Sequence, residues 1–385
     1  MATFYEFFAG GGMARAGLGE GWSCTFANDF SEMKGRVYGD NWGEDHLVVD
    51  DVANISTNQL PDVADLAWAS FPCQDLSLAG NYVGIGHRAT KAKSRSGTFW
   101  PFWSLIKRLS EEQRAPKIIA LENVYGVLRA NRGNDFKAIS SAFSGAGYRF
   151  GAMVIDAKHF LPQSRPRVFV VGVQRQVQID QEQLADHPNP VWHPKALCEA
   201  FELLSAEAKR KWVWWNLPIP PERTLTFSDV VSDRPKGVTW HTREQTGNLL
   251  SLMSAKNLEK VQIAKKSGER TVGGLYRRTR IEDGESVQRA EVRFDDVAGC
   301  LRTPTGGSSR QTILVVKGNS VRSRLLAPLE AAKLMGLDEQ FKLPKRYNDA
   351  YHVAGDGVAV PVVRYLAKNL FEPILTAEQM SVAAE

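Results

Sequence analysis

Along roughly the first 175 residues, apolar runs of strand length alternate with longer stretches of mixed polarity. The runs are "TFYEFFA", "CTFAND", "ADLAWASF", "KIIALENV", "GAMVID" and "RVFVVGV", separated by segments long enough for crossover helices. This alternation predicts a βαβα order and an α/β fold with a doubly wound, mostly parallel sheet. Such sheets bind ligands beyond the carboxyl ends of their strands. The rhythm then stops. "QVQIDQEQLADHPNPVWHP" is polar and punctuated by proline, and the residues from about 185 to 320 are rich in basic and turn types. Helical periodicity returns in "APLEAAKLMGL" and "VAVPVVRYLAKNLF". The expected organisation is a large domain over 1–180, a smaller inserted domain over 181–320, and a segment over 321–385 that rejoins the first. Trp192, Trp212, Trp214, Trp215 and Trp240 are expected to form the core of the inserted domain.

A chain of 385 residues exceeds one average domain, in keeping with this division. No apolar run reaches the roughly 18 residues that a membrane span needs. The opening "MATFYEFFAGGG" lacks the basic region of a secretory signal. Cys24, Cys73, Cys198 and Cys300 lie far apart, a spacing that suits neither a zinc site nor a disulfide framework. A reducing, cytoplasmic setting with no metal is therefore expected. The net charge of +5 leans toward an anionic partner.

Candidate chemistry gathers at the expected strand ends. "FFAGGGMARAGL" follows the first strand and opens a helix, so Gly10, Gly11 and Gly12 let backbone amides approach a ligand. A nicotinamide fingerprint would place a third glycine where this chain has Arg15, which argues against a dehydrogenase. Asp29 ends the second strand, about 20 residues on, at the distance expected of an acceptor for ribose hydroxyls. Asp51 sits where a third strand would end and could accept from an adenine amine. These features describe a site for an adenosine-containing cofactor without a pyrophosphate. Cys73, in "ASFPCQDLSLAG", follows an apolar run. A free cysteine is usually a small packed hydrophobe, but one at a strand end is also a candidate nucleophile.

Taken together, these segments resemble the DNA (cytosine-5) methyltransferase family. "FFAGGG" is similar to its first motif, "FPCQDLS" to its nucleophile motif, and "LENV" to its glutamate-asparagine-valine motif. "LPQSRPRVFVVG" matches the Gln-x-Arg-x-Arg motif, and "RSRLLAPLEAAKLMGL" and "HVAGDGVAVPVVRYL" resemble the two late motifs. All six occur in the family's order. The resemblance implies a class I S-adenosylmethionine-dependent methyltransferase fold with an inserted target-recognition domain. It implies S-adenosyl-L-methionine as cofactor, held by Phe8, Ala9, Gly10, Gly11, Gly12, Asp29, Phe30, Asp51, Val52, Pro72, Asp356, Gly357 and Val358. It makes Cys73 the nucleophile that adds to C6 of cytosine, with Glu122, Arg165 and Arg167 completing the catalytic set and Arg167 donating to the ring carbonyl. Three departures stand out: Glu6 replaces the usual aspartate before the glycines, Met13 a common fourth-position glycine, and Asp356 the usual asparagine of the last motif.

Chemistry at C5 requires the base to leave the stack, so double-stranded DNA is the expected partner. "SLAGNYVGIGHRATKAKSRSGTF" offers Ser77, Arg88, Lys91, Lys93 and Arg95 as DNA contacts on a loop that closes over the substrate. In the inserted region, "GGLYRRTR" and "RTPTGGSSRQT" place Arg277, Arg278, Arg280 and Arg310 beside glycines, as groove or phosphate contacts. The implied protein is a monomeric modification enzyme of bacterial or phage type, with a cognate restriction endonuclease acting separately. An RNA cytosine-5 methyltransferase and a catalytically inactive DNA-binding regulator on the same fold are the competing readings.

Overall fold

The computed structural model describes residues 1–71, 95–304 and 310–382, and the side chains of 95, 96 and 379–382 are not described. The chain divides into two compact units, one holding Met1–Asp156, Pro166–Ile219 and Val362–Glu385, the other Ala157–Arg165 and Pro220–Pro361.

The first unit is built on strands β1 (Ala2–Phe7), β2 (Trp22–Asp29), β3 (Leu47–Val49), β4 (Leu66–Ala69), β5 (Ile118–Val124), β6 (Tyr148–Asp156) and β7 (Pro166–Gln174). They form one sheet in the order β3-β2-β1-β4-β5-β7-β6. The pairings from β3 through β5 are parallel, whereas β7 runs antiparallel to both β5 and β6. Helices α1 (Met13–Leu18), α2 (Glu32–Trp42), α3 (Phe99–Glu111) and α4 (Asn134–Gly145) supply the crossovers. In α3, Phe99, Phe102, Trp103, Ile106 and Leu109 recur at helical spacing and are buried. β4 is buried along its whole length and β5 along nearly all of it, as strands covered on both faces must be. The strand order reverses between β1 and β4, so the ligand crevice of a doubly wound sheet falls at their carboxyl ends.

The first unit extends past the expected limit at 180. After β7 the chain forms β8 (Leu184–Ala185), α5 (Lys195–Glu202), α6 (Ala206–Lys211) and β9 (Trp214–Trp215). Here the tryptophans correct the sequence expectation. Trp192, Trp212 and Trp215 are buried in the first unit, not in the inserted one. Val154 N donates to Trp192 O and Val213 N to Phe150 O, each at 2.8 Å, so the segment is sewn onto β6. Trp214 packs against the same core, while Trp240 lies in the second unit with the Arg322 guanidinium 3.8 Å above its ring.

The second unit contains α7 (Phe227–Val230), α8 (Arg243–Ser251), α9 (Ala255–Lys266), β10 (Thr271–Glu282), β11 (Glu285–Arg293), β12 (Thr312–Lys317), β13 (Ser320–Leu325), α10 (Pro328–Leu334) and α11 (Tyr347–Asp356). Its sheet is antiparallel in the order β11-β10-β12-β13. Met253, Val261, Leu275, Val292, Leu314 and Val316 are among the residues of its core. Arg324 and Glu330, both buried, form a double ion pair at 2.6 and 2.7 Å. The helices α10 and α11 belong to this unit, so the division differs at both ends from the expected boundaries at 180 and 320.

Candidate active site

At the carboxyl end of β1 the backbone turns sharply, with φ of +56° at Phe8, +58° at Gly10 and +79° at Gly12. Side chains from neighbouring elements fix that turn. Asp29, at the end of β2, is buried; its Oδ2 accepts from Gly10 N at 2.8 Å and its Oδ1 from Ser31 N at 2.9 Å. Ala9 N donates to Asn28 O, and Asn28 Nδ2 donates to the carbonyls of Val48 and Asp50. Trp42 Nε1, at the end of α2, donates to Gly11 O at 3.0 Å. A Cβ on Gly12 would lie 2.2 Å from that same nitrogen, so glycine is required there by close packing as well as by φ. Phe30, directly after Asp29, is 65% exposed, an unusual state for so large an apolar ring. Asp51 is exposed and caps the short turn Val52–Asn54 by accepting from Ala53 N, while Val52 is buried.

Glu6 lies in β1 beneath the turn. Its Oε1 accepts from Arg15 N at 3.3 Å, and its Oε2 has no hydrogen-bond partner among the described residues. Burial, opposed by the hydrogen bond from Arg15, pushes its carboxyl up to about 8. Arg15 stacks over the Trp42 ring at 5.0 Å and contacts Tyr38 Oη and His46 Nε2. The side chain that replaces a fingerprint glycine thus packs against α2. Burial and then Arg15 hold His46 below its ordinary value.

Glu122 and Arg167 meet through the antiparallel pairing of β5 and β7. Val124 is opposite Arg167 in the register, which sets Glu122 diagonally across on the same face. Arg167 Nε lies 3.0 Å from Glu122 Oε1, and both side chains are largely buried. Next to Glu122, Asn123 Nδ2 donates to Phe71 O at 3.3 Å. Phe71 is the residue before Pro72 and Cys73, so the chain leading to the expected nucleophile is tied beside Glu122. Pro72, Cys73, Ser77, Arg88, Lys91 and Lys93 lie outside the described residues; Arg95 begins the short turn Arg95–Thr98, its side chain undescribed.

The Gln-x-Arg-x-Arg motif divides its labour. Gln163 is fully buried in the second unit, donating to Leu334 O at 2.6 Å and accepting from Leu301 N at 3.2 Å. Arg165, 2% exposed, donates to the carbonyls of Leu301, Gly355 and Gly357 at 3.2, 2.9 and 2.7 Å. These two side chains latch backbone segments of their own unit, whereas Arg167 holds a carboxylate. Gly355 lies against Arg302, whose carbonyl a Cβ would approach to 2.8 Å. Asp356 accepts from Thr303 Oγ1 and pairs with His352 Nε2 at 2.9 Å, and Val358 is buried. The expected cofactor residues therefore divide between the two units, with Phe8 to Val52 in the first and Asp356, Gly357 and Val358 in the second. Sequence reasoning passed over Trp42, Asn28 and Asn123. The last stands inside "LENV", but nothing in the sequence singles out Trp42.

On the β10–β11 ribbon the arginines alternate. Arg278 and Arg280 both point toward Glu291, Arg280 Nε at 2.8 Å and Arg278 Nε at 3.6 Å. Arg277 faces the other side of the ribbon, and Arg310 stacks over the Tyr347 ring at 5.7 Å.

Residues 2–372 match the family described as C-5 cytosine-specific DNA methylase. Among relatives, the Type II methyltransferase M.BsuFI of Bacillus subtilis is 25% identical, over 98% of this chain and 74% of its own length. M.HaeII of Haemophilus aegyptius is 26% identical, over 96% of this chain and 92% of its own. The S. pombe Dnmt2 methyltransferase structure superposes with a TM-score of 0.58 at 14% identity, covering 97% of this chain and 99% of that one, a likeness of fold. With the family matched across nearly its whole length, the chain belongs to the C-5 cytosine-specific DNA methylases and is a DNA (cytosine-5) methyltransferase.

Proposed function

We propose that this methyltransferase uses S-adenosyl-L-methionine and acts on a flipped cytosine through a covalent Cys73–C6 adduct. The observation that carries this reading is the buried Glu122–Arg167 pair at the end of β5, with Asn123 tying the approach to Cys73 beside it. Carbon 5 of cytosine is too electron-poor to take a methyl group unaided. Addition of the Cys73 thiolate at C6 turns the ring into an enamine-like nucleophile at C5. Glu122 holds a proton at N3 and faces the exocyclic amine, which offsets charge developing on the ring. Arg167 orients Glu122 through their ion pair and, in this reading, donates to the ring carbonyl. Once C5 carries the methyl group, solvent water takes the C5 proton, the N3 proton returns to Glu122, and expulsion of the Cys73 thiolate restores aromaticity. Arg165 acts as a positioning residue, since its guanidinium is committed to backbone carbonyls.

The cofactor, when bound, supplies an electrophilic methyl group on a sulfonium. The residues at the β1 and β2 ends fit its adenosine half: an exposed aromatic face at Phe30, an exposed carboxylate at Asp51, and a turn with open space above Gly10. Asp29 braces the turn with one lone pair of each oxygen, leaving the others for ribose hydroxyls. The second unit is the target-recognition domain in this reading, and a cognate restriction endonuclease acts on the same sequence separately. Bisulfite sequencing of DNA and RNA from cells expressing the protein tests the proposal. Methylated cytosines in one DNA sequence context are expected; methylation confined to RNA, or absent from both, overturns it.

A further inference from the structure

In the second unit, α8 and the β10–β12–β13 face enclose a groove of about 420 Å³. Gln245, Asn248, Leu249 and Leu252 line it from the helix, at the i, i+3, i+4, i+7 spacing of a single stripe. Thr246, on the buried side of α8, fixes the helix by a 2.9 Å hydrogen bond to Ser323 Oγ of β13. Leu275 and Arg277 line the groove from β10, two residues apart and so on one face of the strand. The leucines make an apolar floor and the polar side chains a rim. A second cavity, of about 500 Å³, shares His241, Arg310 and Leu325 with it and adds Arg346.

Among the described residues, no carboxylate lines either cavity. On the β10–β11 ribbon the other arginines are neutralised locally, Arg278 and Arg280 by Glu291, Arg289 by Glu282 and Arg293 by Asp295, and in the second cavity Arg346 is paired with Asp349. Arg277 and Arg310 have no carboxylate within ion-pair distance among the described residues, although both line the same groove. Arg310 Nε is buried without an acceptor among those residues. The Asn248 side chain is exposed and makes no hydrogen bond among the described residues. A groove with spare donors, positive charge and an apolar floor is complementary to the edge of a nucleic acid.

We infer that Asn248 and Arg277 are specificity-determining residues, reading base edges of duplex DNA that enters this groove, while Arg310 holds a phosphate. The inference rests on the proposed recognition role of the second unit and narrows it to one face of the ribbon. An exposed guanidinium can donate two parallel hydrogen bonds to guanine, and an exposed amide can both donate to and accept from adenine. Arg278 and Arg280, turned the other way and engaged with Glu291, take no part in reading.

The test uses the full chain carrying Asn248→Ala, Arg277→Ala, Arg277→Lys, Arg278→Ala or Arg280→Ala. Site preference is read in two ways: by sequencing methylated DNA from expressing cells, and by selecting from a pool of random duplexes on the purified protein. Asn248→Ala and both Arg277 variants should each lower discrimination at one base position by about tenfold or more. The lysine keeps the charge but loses the paired donors, so it should behave like the alanine. Arg278→Ala and Arg280→Ala should keep the wild-type preference. Unchanged preference in the Asn248 and Arg277 variants overturns the inference. So does a uniform loss of affinity with a shallower salt dependence, the mark of a phosphate contact alone. If the wild type methylates no DNA, the proposed function fails, and the duplex selection still decides the inference.

Discussion

Asp29→Asn is the sharpest probe of the cofactor end of the site. The aspartate spends one oxygen on Gly10 N at 2.8 Å and the other on Ser31 N at 2.9 Å. Asparagine keeps one acceptor and sets an NH2 group against the second backbone N–H. One charge-assisted hydrogen bond is lost and one buried donor is orphaned, which costs about 1.5–3 kcal/mol. Alanine removes both acceptors but also the donor–donor conflict, so the two variants should be impaired to similar degrees. Because the bonds exist without ligand, part of the cost falls on folding stability and part on the shape of the glycine turn. The urea midpoint of the ligand-free protein should therefore drop in both variants. Affinity for S-adenosylmethionine, measured by calorimetry on the folded protein, should fall severalfold, and by no more than about a hundredfold if the whole cost acted on the turn, since about 1.4 kcal/mol is a factor of ten. A fall in affinity with an unchanged midpoint would make Asp29 a pure ligand contact. Wild-type values for both quantities would refute its place in the site altogether.

Cys73→Ala should abolish methyl transfer while leaving duplex binding intact, and the wild type should form a denaturation-resistant adduct with duplex carrying 5-fluorocytosine; turnover by the variant would sink the adduct. Arg165→Ala should lower stability by about 3 kcal/mol or more by orphaning buried carbonyls, read as a shifted urea midpoint, and Arg165→Lys should recover only part of it. Glu6, with its carboxyl pushed up to about 8, keeps in the folded state a proton that the unfolded chain releases in the ordinary carboxylate range. That difference makes its contribution fall as pH rises toward 8 and level off above. Glu6→Gln should flatten this part of the stability profile, and an unchanged slope would show that Glu6 does not titrate there.

Strand content was legible where apolar runs were long, and the mostly parallel sheet followed from them. The three-residue β3 carries too few apolar positions to stand among the long runs, yet a strand ending near Asp51 was expected and β3 ends at Val49. The antiparallel course of β7 was not legible, because a strand buried on both faces has the same pattern in either direction. Yet that course is what brings Arg167 across from Glu122. Four of the five tryptophans, all but Trp240, were assigned to the wrong unit because composition reports that a residue is apolar, not which core it joins. The four arginines expected to contact DNA looked equivalent in sequence. Period-two alternation alone would have separated Arg277 from Arg278 and Arg280 had the ribbon been recognised as a continuous strand pair.

The short stretch Ala157–Arg165 joins β6 to β7 yet belongs to the second unit, where Gln163 and Arg165 hold the backbone of Leu301, Leu334, Gly355 and Gly357. Heredity treats these as two separate intervals of one gene. A crossover that imported only residues 220–361 from a relative would bring in carbonyls whose donors are encoded upstream. Each stranded group would cost about 1–3 kcal/mol, enough to consume much of a small unit's stability. On the proposed reading of the second unit, an imported recognition unit keeps its footing only where this nine-residue clasp is shared.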